Sequence, residues 1–234
     1  MLRRLGLVWI AVVAGVVSPA RGEVVRYEFT GEVNQTADVL GLDVAVGSPV
    51  TGLLSYVYPD TVPDHSDPTG IWHLYTESLP SGFTATFISS GSPVAVRTGD
   101  YAVQVRNETE AGGYDGFAVI YSPFSAIPPT LPVTIGPDEY TNVNFRLDFT
   151  GSSSLYDGSA VPSSLAIDDF LVGPFFRIGS LAESDSFGSI LFAVTNLRRV
   201  PEPSSSLLLA YGSGVLACVL LRRRRVGRLR RGGT

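Results

Sequence analysis

Apolar and polar positions alternate with a period of two along much of this chain. In Val24–Val33, Val25, Tyr27 and Phe29 point one way and Arg26, Glu28 and Thr30 the other. Later, Val143, Phe145, Leu147 and Phe149 alternate with Asn144, Arg146 and Asp148. Successive side chains of a strand point to opposite faces, so this period predicts strands with one buried face. Runs rich in β-branched and aromatic residues predict further strands at Val50–Tyr58, Trp72–Tyr75, Phe83–Ile88, Val94–Thr98, Tyr101–Arg106, Gly116–Tyr121, Phe170–Val172 and Ile190–Leu197. Turn signals separate them: Pro59-Asp60, Asp67-Pro68, Gly99-Asp100, Gly112-Gly113 and Asp157-Gly158. Pro123–Pro132 reads as a long loop or edge crossing, because proline cannot donate to a sheet. No sustained helical period and no internal repeat occur in Glu23–Arg199. The expectation is an all-β fold, a single β-sandwich or jelly-roll domain.

Both flanks break that pattern. Arg3 and Arg4 precede the apolar stretch Leu5–Val17, and small residues then offer cleavage after Ala20 or Gly22. This is the outline of a signal peptide over residues 1–22. At the other flank Val200-Pro201-Glu202-Pro203 leads through Ser204–Ser206 into the uncharged run Leu207–Leu221, followed by Arg222, Arg223, Arg224 and Arg225. Leu207–Leu221 as a helix rises roughly 22 Å at 1.5 Å per residue. With the three serines it approaches the ~20 residues that cross a bilayer, and the arginines can snorkel from its end. A core helix rarely ends in four arginines, which would have to be desolvated. The arginine-rich side is expected to stay cytoplasmic. Each proline fixes its own φ and biases the residue before it towards extended geometry, so residues 200–203 form an accessible extended strip. The expected organisation is a signal peptide at 1–22, an exported domain at 23–199, the motif at 200–203, a transmembrane helix at 204–221 and a basic tail at 222–234.

Charge sharpens this division. The chain carries a net charge of −5, yet Glu23–Arg199 alone holds 21 acidic residues against 7 arginines, or −14. Such a domain repels phosphates, which argues against nucleic acid as a partner. The single cysteine, Cys218, lies in the apolar run, so the exported domain has neither a disulfide nor a cysteine-based metal site.

Candidate chemistry is sparse. The only histidines, His65 and His73, lie in or beside a polar loop, and no Gly-x-Ser-x-Gly elbow accompanies them. Asp60, Asp64 and Asp67 offer carboxylates to Ca²⁺, but at spacings that fit no known loop pattern, and aspartates beside prolines usually make turns. Asp168-Asp169 would point to opposite faces of a strand. Glu108, Glu110 and Asp115 are weak candidates for a glycosidase pair. Trp72, Tyr75, Tyr101, Tyr114, Phe117 and Tyr121 could form a sugar-stacking platform, although aromatics also fill β-sandwich cores. Leu131–Ile135 approximates a Leu-Pro-x-Thr-Gly sorting motif, with Ile135 in place of glycine and a further stretch of domain after it. No catalytic residue, metal site or cofactor is expected.

Taken together, Pro201-Glu202-Pro203, Leu207–Leu221 and Arg222–Arg225 closely resemble the PEP-CTERM sorting signal of Gram-negative and related bacteria. The tail runs nine residues beyond Arg225, longer than usual. The resemblance implies processing at the motif by a membrane enzyme, exosortase. It also implies transit through the inner membrane and delivery to the cell surface or an extracellular polysaccharide matrix. More loosely, Tyr27–Val33 and Gly47–Gly52 resemble segments of β-rich exported proteins with such tails. The expected function is a non-enzymatic structural component of the surface or matrix. The alternative is a surface-displayed carbohydrate-binding module, with or without Ca²⁺; a secreted hydrolase is a third, less favoured reading.

Overall fold

The computed structural model describes residues 22–37, 39–59, 62–66, 68–69, 71–77, 79, 82–108, 113–123, 130–156, 158, 160–172, 177–183 and 188–201. The chain divides into two units, Met1–Arg199 and Val200–Thr234. The expected signal peptide, the apolar run Leu207–Leu221, Glu202, Pro203 and Arg222–Arg225 lie outside the described residues. Among the described residues, no helix is long and apolar enough to cross a membrane.

The described part of the first unit is all-β. Its strands are β1 (Glu23–Thr36), β2 (Pro49–Tyr58), β3 (His65–Ser66), β4 (Trp72–Glu77), β5 (Thr84–Ser89), β6 (Ser92–Thr98), β7 (Tyr101–Arg106), β8 (Gly116–Tyr121), β9 (Val133–Ile135), β10 (Asp138–Tyr140), β11 (Val143–Thr150), β12 (Arg177–Glu183) and β13 (Ser189–Arg199). All pairings are antiparallel, in the order β10-β9-β6-β5-β2-β1-β13-β12-β11-β8-β7-β4-β3. The expectation of two sheets is therefore corrected. One continuous 13-stranded sheet curls so that its two halves face each other.

The turnover is visible in contacts between strands distant in the sheet. Tyr56 of β2 meets Phe117 of β8 at a ring-centroid distance of 5.1 Å. Phe83, just before β5, stacks on Phe145 of β11 at 4.1 Å. Phe87 of β5 packs edge-on against Phe192 of β13 at 5.6 Å. One contiguous apolar core results, with alternate residues of the long strands β1, β11 and β13 facing inward. On β11, Val143, Phe145, Leu147 and Phe149 are all buried, as their alternation predicts. The central pair β1–β13 shifts register between Thr30 and Gly31 and again between Val33 and Gln35. Bulges increase local twist and bend a strand, which suits the point where a single sheet doubles over. Gly31 also permits close approach there: a Cβ would lie 2.3 Å from the Ala193 carbonyl oxygen.

Pairing of β5 with β2 covers only Thr51–Leu53. Beyond it, the opposite half of the sheet satisfies the backbone of β2. The Tyr101 hydroxyl on β7 donates to the Ser55 carbonyl at 2.5 Å. The buried Glu77 carboxylate on β4 accepts the Val57 N–H at 2.9 Å. Buried backbone polar groups must be paired, and here side chains replace the missing ladder.

One expected strand is absent. Phe170 forms only an isolated bridge with Gly151, after the 3-10 turn Ile167–Asp169. Its ring packs against Phe149 at 5.1 Å, while Val172 is 84% exposed. A single anchor residue, not an alternating face, explains the hydrophobicity of that segment.

Candidate functional site

The last strand leads straight into the expected sorting motif. Arg199 is the final residue of β13 and pairs with Tyr27 of β1. Arg198 forms an ion pair with Glu28, and Arg199 donates to Glu23 at 2.7 Å. Arg199 closes the sheet, at the expected end of the exported domain, and Val200 and Pro201 follow it directly. Of residues 200–203, Val200 and Pro201 are described; Val200 is half-buried and Pro201 exposed.

A second site lies on the outer face of the sheet, where β4, β7, β8 and β11 run side by side. Cross-strand register lays out two rows. Trp72 pairs with Arg106, Arg106 with Gly116, and Gly116 with Thr150. In the next row Gln104 pairs with Ala118, and Ala118 with Asp148. Each core-facing residue of these strands is flanked by neighbours that face outward, which brings these residues to one surface. Gly116 and Ala118 on β8 are short, so the longer side chains of β4, β7 and β11 stand as walls over a low floor. The groove measures about 370 Å³.

Polar groups in the groove are held in place. Arg146 grips Asp148 through both Nε and Nη2, the latter at 2.5 Å from Oδ1. Such a two-point fork fixes orientation as well as charge. Arg106 pairs with Glu108 at 2.6 Å. The half-buried Trp72 ring lies beside His65, with centroids 5.5 Å apart.

The remaining sequence candidates separate. Among the six aromatic candidates, Tyr75, Tyr101, Phe117 and Tyr121 are core residues, and Tyr114 is 44% exposed. Trp72 and Phe117 both line the groove, but Phe117 is buried at its floor and Trp72 is only half-buried. His73 Nδ1 lies 2.7 Å from Ser66 Oγ across the β3–β4 hairpin, an exposed cross-strand pair. Asp64 accepts the Thr76 N–H at 2.6 Å, a contact twelve residues along the chain that ties the segment before β3 to β4; Asp60 and Asp67 lie outside the described residues. Asp168 and Asp169 are exposed in the 3-10 turn, not on a strand. Asp115 is fully buried and accepts the N–H groups of Glu108 and Tyr156, both at 2.9 Å. It ties two loops together, and Glu110 lies outside the described residues. Leu131–Ile135 supplies β9, and the Leu131 N–H is held by the buried Asp100 at 3.1 Å. Among the described residues, no group of three or more His, Cys, Asp and Glu side chains gathers to hold a metal.

The sequence singled out Trp72 but not its neighbours. Arg106, Gln104, Ala118 and Asp148 come together only through the order β4-β7-β8-β11. The small outward residues Gly116 and Ala118, opposite polar residues on adjacent strands, are the signal once that order is known.

Residues 199–225 match the PEP-CTERM protein-sorting motif. No curated protein and no solved structure matches the chain. The motif marks an exported protein that passes through a membrane and is sorted by exosortase-type processing.

Proposed function

We propose that this chain is a non-enzymatic protein of the cell surface or extracellular polysaccharide matrix. Its β domain is carried out of the cell, held at the inner membrane by Leu207–Leu221 with Arg222–Arg225 as the stop, and handed to an exosortase-type enzyme at Pro201-Glu202-Pro203. The observation that carries the reading is the junction itself. The matched motif begins at residue 199, where the sheet's last strand ends. A cut beyond that point removes nothing the sheet uses. The buried carboxylates add support: Glu77, Asp100 and Asp115 accept backbone N–H groups, an architectural use.

Replacing Pro201-Glu202-Pro203 with alanines is expected to leave the protein unprocessed in the inner membrane. Intact-mass measurement of wild-type protein released from the surface, with the cell fraction recorded, tests this. A released chain that still contains Leu207–Leu221 contradicts the model.

A second reading, a polysaccharide-binding module displayed at the surface, is favoured by one observation. Trp72 stands at a groove that also presents the hydrogen-bonding side chains of Gln104, Arg106, Arg146, Asp148 and Thr150.

A further inference from the structure

We infer that the groove over β8 binds a neutral polysaccharide chain, with Trp72 as its stacking surface and Gln104, Thr150 and the Arg146–Asp148 pair as its hydrogen-bonding partners. This rests on the polysaccharide reading above and narrows it to a site and a ligand class. A sugar ring presents an apolar C–H face and a rim of hydroxyls that both donate and accept. The groove offers the matching set. The indole is a rigid apolar plate. Gln104 and Thr150 each donate and accept. Arg146 and Asp148 supply a donor and an acceptor side by side, already oriented by each other. Its volume, about 370 Å³, falls in the ~300–1,000 Å³ range of ligand clefts.

Charge selects among sugars. Both arginines at the groove are neutralised by partners, Arg106 by Glu108 and Arg146 by Asp148. The surrounding domain carries −14. A uronate, sulfate or phosphate would have to displace an existing carboxylate while approaching a negative field. A neutral chain meets neither obstacle. The polar walls likewise disfavour an acyl chain, which would strand their groups without partners.

The test is affinity electrophoresis of the full chain in mild detergent, through gels containing dextran, laminarin or galactomannan, and through gels containing alginate. Retardation by at least one neutral polysaccharide and none by alginate is expected. Trp72→Ala removes the plate, Ala118→Leu raises the floor, and Gln104→Leu keeps side-chain size while removing the polar head. Each is expected to weaken retardation, by about tenfold for Trp72→Ala. Tyr114→Ala, at an exposed ring outside the groove, should leave it unchanged. The inference is overturned if no neutral polysaccharide retards the chain, if alginate retards it equally, or if Trp72→Ala and Gln104→Leu behave as wild type. The variants and cell fractionation separate the levels of failure. Retardation that survives Trp72→Ala and Gln104→Leu overturns the groove assignment alone, a surface-located chain that no polysaccharide retards loses the polysaccharide reading with it, and a cytosolic chain loses the surface reading.

Discussion

The tyrosines show how one residue type serves the fold where sequence offered it to function. Tyr101 sits among the residues that a sugar platform would recruit, yet its ring is buried and its hydroxyl completes the backbone pairing of β2. Sequence could not distinguish these uses, because an inward and an outward aromatic differ only by register. Burial leaves a measurable trace. It raises the pKa of Tyr56, Tyr101 and Tyr156 well above the ordinary value of 10.0. The charge of Glu77 adds to the effect at Tyr101, the neighbouring Tyr27 at Tyr56, and Asp169 at Tyr156. Their stabilising effect is fully present below pH ~10 and is lost as pH rises above it. In that range the unfolded chain gives up phenolic protons that the folded chain keeps. Each such tyrosine is expected to lower stability by about 1.4 kcal/mol per pH unit above ~10. Denaturant melts at stepped alkaline pH should show the steep loss, and Tyr101→Phe should flatten it by one tyrosine's share. A pH-independent melt would mean that these hydroxyls are exposed to solvent.

At the scale of single elements, the legible strands are those with strict alternation. Both ends of β7 and β8 coincide with expectation, and β11 extends by one residue. β12 was missed because Arg177–Glu183 has a glycine where the pattern wants an apolar residue. The structure explains the glycine: Gly179 pairs directly with Phe192 of β13, and a Cβ would lie 1.9 Å from that ring. Gly52 of β2 does the same for Phe29 of β1, its direct cross-strand partner, at 2.3 Å. In both places a phenyl ring lies over a bare neighbour, so one large side chain fills two positions of the inner face. Aromatic residues covering cross-strand glycines are a recognised device for pinning register. The short β9 and β10 carry too few residues to show a period, and proline content drew attention to the loop before them instead. Gly179→Ala should therefore destabilise the domain by ~1–3 kcal/mol through overpacking against Phe192, whereas Gly91→Ala, with open space around it, would be strained only by its positive φ of +78. Chemical denaturation of the two variants compares them. Equal and small losses would show that Phe192 does not occupy the space over β12.

At the scale of the whole molecule, the decisive fact is that the sheet's centre is made from its first and last strands. β1 lies between β2 and β13, and β13 lies between β1 and β12. The two halves of the sheet are thus joined through a contact between residues such as Phe29 and Leu197, near opposite ends of the domain sequence. Closing so long a loop is slow and cannot be rewarded until the distal strand arrives. Translocation delivers β13 last, immediately before the sorting motif. On the proposed reading of Leu207–Leu221 as the membrane anchor, completion of the fold would coincide with the arrival of that segment at the membrane. The boundary at Arg199 was visible in the sequence as a change in composition, but this coupling was not, since strand order is a long-range property that alternation does not encode. Two truncated chains separate the consequences. A stop after Arg199 retains every strand and should yield an exported, protease-resistant domain that is never retained in the membrane by its C-terminal segment. A stop after Gly188 removes β13, exposes the edges of β1 and β12 and uncovers the core beneath Phe192, so the product should be degraded during export. If the shorter chain accumulated with the same protease resistance as the longer one, β1 and β12 would have to be able to pair without β13, and the central position of the last strand would have no role in when the domain folds.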